Sequence, residues 1–286
     1  MSAPHQHGTS QRDRVLKAGA LSGRRCRRLP DVQISRGVQL PQRGTFPITC
    51  HAWKALPVFV PLQDDNPLKF IQHQYVTFAL IALNVVAFLL TATGGQEAVV
   101  ASFALIPGEL FGLVVPAPIQ SVALPENLTL LSYMFFHGDV LHLAGNMIFL
   151  WVFGDNVEDA MGHGRFLIFY LLCGIFAGLV HAWTAPQSGV PLIGASGAVA
   201  GVIAAYLMLH PRVRVWVLAF KFLPLQVSAA IVLGVWIVTQ IIMVLMPETG
   251  PVAWWAHIGG LIAGAVLVGV FKRPGVPLFD RGLSAG

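Results

Sequence analysis

A single hydroxyl interrupts the run GASGAVAG at residues 194–201, where Ser196 stands among glycines and alanines. A serine becomes a useful nucleophile when a neighbouring base takes its proton during attack. The chain offers such a base in His257, within AWWAHIGG at 253–260. A third polar group lies in HGDVLHLAGN at 137–146, which holds His137, His142 and Asn146. His142 and Asn146 are four apart and project from one face of a helix. His137 lies about 140° round from His142, so these two share a ligand only if the helix starts late. Attack on a carbonyl creates an oxyanion that needs donors. The Asn146 amide, the His142 ring N–H and the backbone N–H of Ser196 are the candidates. No acidic residue lies at comparable depth on the later apolar segments, so the expected site is a Ser196–His257 dyad without an orienting third member.

Plainer readings exist for each residue. Ser196 can be one more small residue in a helix contact, and His257 an interface histidine beside Trp254 and Trp255. His142 and Asn146 can be hydrogen-bond formers between helices. His137 is read as structural or water-organising rather than catalytic. Other chemistries fit less well. Gly197 and Ala198 follow the serine, which departs from G-x-S-x-G, and no strand precedes it. HExxH is absent, and His137, His142 and His257 as metal ligands would have no nearby carboxylate or cysteine except Asp139. Neither a metal nor another cofactor is expected.

For the hydroxyl to reach the imidazole, the helices that carry them must approach closely. Small residues at four-residue spacing permit this. Gly197/Gly201 and Ser196/Ala200 supply them on one segment, Ala256 and Gly260/Gly264 on the other.

The elements that would position these groups are apolar. Of the 286 residues, 55% are hydrophobic and 11% charged, against about a quarter charged in soluble proteins. Six apolar segments, near 75–93, 138–157, 166–183, 195–210, 227–246 and 252–271, approach the length that crosses about 30 Å of hydrocarbon. A seventh apolar stretch, 99–119, carries Pro107, Glu109, Pro116 and Pro118 and suits the interface better than a span. Charge decides the count. With six spans and the amino terminus inside, the amino-terminal tail and 158–165, 211–226 and 272–286 hold all 18 Lys and Arg residues, and the outer loops hold none. Basic residues of this kind report membrane orientation, so the formal charge of +5 is read as topology and no nucleic-acid partner is expected.

Residues 1–57 read as a disordered basic cytoplasmic tail, with an arginine-rich targeting peptide or an upstream region absent from the mature protein as alternatives. Residues 58–74 form a juxtamembrane segment, 75–272 the six-helix domain and 273–286 a short cytoplasmic tail. Cys26, Cys50 and Cys173 lie far apart and suggest neither disulfides nor a zinc site. Cys173 is expected to serve packing.

Taken together, four blocks resemble the rhomboid family of intramembrane serine proteases. They are H137-xxxx-H142-xxx-N146, G154-xxx-E158-xxx-G162, G194-A-S196-G197 and A256-H257-xx-G260-xxx-G264. The resemblance covers about 70–272. It implies an all-α polytopic bundle of six transmembrane helices with both termini cytoplasmic, which cleaves transmembrane protein substrates within the lipid bilayer without a cofactor. It implies Ser196 as nucleophile, His257 as general base, and His142 and Asn146 as oxyanion donors. His137, Gly194, Gly197, Gly260 and Gly264 would be structural residues near the site. It also implies an interfacial loop at 99–119 and a mobile gate at 247–251.

Two features depart from the family pattern. Some members carry a tyrosine four residues after the serine, where this chain has Ala200, and the Trp-Arg pair of some first loops is missing from 94–137. These departures bear on substrate preference and leave His257 to be held by other neighbours. The rival expectation is an inactive relative that binds transmembrane clients. Composition suits a bacterial inner membrane, with a mitochondrial inner membrane as the alternative. The oligomeric state is left open.

Overall fold

A predominantly apolar helix is stable only where lipid or protein surrounds it, and each of the six apolar segments folds as a helix. In the computed structural model, which describes residues 59–92, 96–115, 124–219, 223–246 and 252–279, these are α1 (Tyr75–Ala92), α5 (Val140–Met161), α6 (His163–Thr184), α7 (Ser196–Leu209), α8 (Ala229–Leu245) and α9 (Trp254–Phe271). α1, α5, α6 and α9 are long and apolar enough to cross a membrane. α7 and α8 are shorter apolar helices; the 14 residues of α7 span only about 21 Å. Expectations about the 1–57 tail, the 247–251 gate and residues 280–286 lie outside the described residues.

Within the described part of 99–119 the chain breaks into short helices. α2 (Gln96–Phe103) and α3 (Pro107–Leu110) flank Leu105, whose backbone exchanges hydrogen bonds of 3.0 and 2.8 Å with Leu192. Pro107 opens α3, where a missing N–H costs nothing. α4 (Glu126–Ser132) and a single 3-10 turn lead to α5.

The expectation of an all-α chain is corrected by an antiparallel sheet. β1 (Phe59–Asp64), β2 (Arg214–Ala219) and β3 (Leu223–Ser228) pair in the order β1-β2-β3, with Val217 opposite both Pro61 and Leu225. The signal is the alternation in β2, which buries Val215, Val217 and Ala219 while Arg214 and Trp216 face outward. The basic residues of 211–226 had marked it as a loop, but charge on one face and valine on the other is what a half-buried strand requires. Pro61 and Pro224 sit on the outer strands, where a missing donor is tolerated.

Buried carboxylates of α5 tie the start of α1 and the segment before it to the bundle. Glu158, fully buried, accepts from the N–H groups of Val76 and Thr77 and from Thr77 Oγ1 at 3.0, 2.8 and 2.7 Å. It thereby satisfies first-turn donors of α1 that have no partner within their own helix. The imidazole of His163 lies 2.5 Å from the same carboxylate. Asp159 accepts from the N–H groups of Lys69, Phe70 and Ile71 at 2.9, 2.7 and 2.7 Å. The core lies among α5, α6, α7 and α9, around Phe153, Phe169, Tyr170, Ile203 and Tyr206. Cys173 is buried there as a free thiol, against Gly201.

Candidate active site

α7 begins at Ser196. Its first-turn N–H groups therefore have no acceptor inside the helix, and the positive end of the helix dipole lies at the hydroxyl. Gly194 makes the entry possible. Its φ is +121°, and a side chain there would fall 2.6 Å from the His142 ring, so no other residue fits both the backbone and the neighbour. The strand-like approach is fixed by two bonds, from Gly194 N–H to the Tyr133 carbonyl at 3.0 Å and from Ala195 N–H to His137 Nε2 at 3.4 Å.

The opposing helix carries His257. α7 and α9 meet along glycine: a side chain at Gly260 would collide with the Gly197 carbonyl, and one at Gly264 with that of Gly201. This seam lets the helix axes come close enough for Ser196 Oγ to lie within hydrogen-bond distance of His257 Nε2, at 2.9 Å. His257 is 8% exposed.

The imidazole is also held on its other side. His257 Nδ1 lies 2.7 Å from Gln240 Oε1, on α8. The rings of Trp236 and Trp254 flank it at 5.9 and 5.8 Å, the second edge-on at 89°. These are the neighbours that the absence of a tyrosine at Ala200 left to be found. Gln240 escapes a sequence reading that looks only to carboxylates for a third member. The signal in the sequence is a lone amide beside Thr239 in the mostly apolar IVTQIIMVL of α8.

The remaining polar residues form a second cluster. Asp139 caps α5, accepting from His142 N–H at 2.8 Å, so the helix begins at Val140 and His137 lies outside it. That late start brings the His137 and His142 rings to 5.0 Å and puts His137 Nε2 3.0 Å from the Asn146 amide nitrogen. His137 and Asn146 are buried, and the His142 ring covers Gly194, two residues before the serine. The structure thus joins Ser196 with His257 directly, and His137 with His142 and Asn146 beside the segment that enters α7.

A polytopic helical protein with a serine and a histidine bonded across a glycine seam defines the class to which this chain is compared. The Rhomboid domain model matches residues 125–274, just over half of the chain, and the protein belongs to the rhomboid family. It is 30% identical over 155 residues to "RHOMBOID-like protein 12, mitochondrial" of Arabidopsis thaliana, covering 48% of this chain and 44% of that protein. It is 30% identical over 139 residues to the human "Presenilin-associated rhomboid-like protein, mitochondrial", covering 46% and 34%. It is 31% identical over 131 residues to "Rhomboid protease GluP" of Bacillus subtilis, covering 46% and 24%. The chain thus aligns with less than half the length of each of these relatives. The helices and the family make it an integral membrane protein.

Proposed function

We propose that this protein is an intramembrane serine endopeptidase that hydrolyses peptide bonds in or near transmembrane segments of other membrane proteins. The observation that carries the reading is the 2.9 Å bond from the Ser196 hydroxyl to His257 Nε2. In attack, Ser196 Oγ bonds to the scissile carbonyl carbon and its proton passes to Nε2. The oxyanion forms at the amino end of α7, where first-turn N–H groups, helped by His142 and Asn146, supply donors. Collapse expels the amine, which takes the proton from Nε2, and water then repeats the sequence on the acyl-enzyme. No cofactor is required. A peptide bond must leave its helix before attack, so small or helix-destabilising residues near the cut are preferred.

Six spans with both termini cytoplasmic support cleavage near the outer end of single-span substrates, since the basic residues then all lie on the opposite side. A bacterial inner membrane suits the composition, while the mitochondrial relatives keep the mitochondrial inner membrane as the alternative.

Covalent labelling by a fluorophosphonate in mild detergent, together with cleavage of a transmembrane reporter, tests the proposal. The parent is expected to label and cleave, and Ser196→Ala and His257→Ala to lose about 10³-fold or more. A folded parent that neither labels nor cleaves, yet retains a transmembrane client, would establish the client-binding reading instead.

A further inference from the structure

We infer that Gln240 is the orienting residue of the Ser196–His257 pair, holding the imidazole in the tautomer that leaves Nε2 free to accept the serine proton. The inference rests on the proteolytic reading above and adds to it a residue on a different helix.

The amide orientation follows from its two partners. Gln240 is 4% exposed, and one end of its amide lies 3.0 Å from the Trp236 carbonyl one turn back on α8. A carbonyl can only accept, so that end must be the NH₂ group. The oxygen therefore faces His257 Nδ1 at 2.7 Å. An amide oxygen can only accept as well, so Nδ1 carries the hydrogen. In a neutral imidazole the other nitrogen is then bare. That nitrogen is Nε2, 2.9 Å from Ser196 Oγ. The chain of donors runs in one direction, from serine through imidazole and amide to the Trp236 carbonyl.

The alternative tautomer would put N–H against the serine and a lone pair against the Gln240 oxygen, leaving two buried acceptors facing each other, which is costly. A neutral amide does not supply the charge that a carboxylate gives the imidazolium, but it performs the other task of the third member, fixing ring and tautomer.

Placement adds a consequence. The buried residues of α8 are Ala229, Val232, Leu233 and Gln240. Three of these lie in its first two turns, so Gln240 is the buried anchor of the outer half. The bond that orients the base is also the bond that holds that half of α8 against α9.

The test compares Gln240→Leu, Gln240→Met and Gln240→Glu with the parent. Met keeps the length of the side chain without an acceptor, and Glu keeps an acceptor. Expected for Leu and Met is a fall of about 10- to 100-fold in kcat and in the rate of fluorophosphonate labelling, with KM within about twofold. Glu, whose second oxygen must carry a proton to face the Trp236 carbonyl, is expected to recover labelling towards the parent rate. Nitrogen-15 NMR of labelled histidine, with His257 assigned by its loss in His257→Ala, is expected to show a protonated Nδ1 in the parent and a changed tautomer in the Met variant. The inference is overturned if Leu and Met label at the parent rate. It is equally overturned if they slow while the tautomer is unchanged and Glu gives no recovery, which is what a packing role would produce. A parent that never labels defeats the proteolytic reading, and the tautomer measurement still decides whether Gln240 sets the imidazole.

Discussion

α7 and α8 are both short and apolar, yet they are held in opposite ways. In α7 eleven of 14 residues are buried, wrapped by α5, α6 and α9. In α8 four of 17 are buried, and Ile231, Val235, Val238, Ile241, Ile242 and Leu245 are between 46% and 80% exposed. Ser196 thus stands on the best-packed helix of the site, while Gln240, set against His257, hangs from the least-packed one. Small residues explain the first: glycine and alanine bring backbones together and gain dispersion contacts along the whole length. Branched apolar side chains facing outward explain the second, because lipid tails satisfy them as well as protein does.

The comparison breaks first at the seam. Gly260→Val would drive a branched side chain into the Gly197 carbonyl, where backbone rather than a flexible side chain must yield. The expected cost is at or above the ~3 kcal/mol top of the usual overpacking range. Melting in detergent and labelling of Ser196 should both collapse. If Gly260→Val melts within a few degrees of the parent and labels normally, close approach of α7 and α9 is not what brings serine to histidine.

The contrast also runs within α8. Leu233 is fully buried near the start of the helix, whereas Val238 is 54% exposed. Leu233→Ala should cost about 2 kcal/mol and Val238→Ala no more than about 0.5 kcal/mol, measured by denaturation in matched detergent. Equal costs would mean that the protein-facing and outward-facing sides of α8 are held alike.

These two regions were unequally legible in the sequence. The approach of Ser196 to His257 could be read because four-residue spacing of glycine and alanine leaves few alternatives: such a stripe must pack, and both polar residues lie on it. Gln240 could not be read in the same way. An amide on a span carries no charge to announce it, and its partner is fixed by how α8 leans on α9, which local pattern does not encode. The sheet was obscured for another reason. Arg212, Arg214 and Lys221 dominate the reading of 211–226 as a loop, although the period-two burial of β2 was present in RVWVLA. The late start of α5 turned on one side chain, Asp139, whose capping bond moves His137 off the helix and onto Asn146.

The smallest expected effect lies where the two helices are rooted. β3 runs directly into α8, and β1 places Asp64 against the foot of α7, where its Oδ2 accepts from Tyr206 Oη and from Asn156 Nδ2 at 2.5 and 2.9 Å. Burial pushes the Asp64 carboxyl up to about 6, against the opposing pull of the Tyr206 hydroxyl bond. A carboxyl raised in the folded state prefers to be protonated there. Its contribution is therefore complete below the ordinary value of 3.8 and is lost as pH rises through about 6. Melting of the parent should decline across that window relative to Asp64→Asn, which keeps the shape and cannot ionise. The two curves should run parallel above about pH 7. A parent curve parallel to that of Asp64→Asn throughout the window would mean that the foot of α7 is open to water. The tight packing of that helix would then stop short of its Tyr206 end, leaving only the turns near Ser196 as the firm partner of α8.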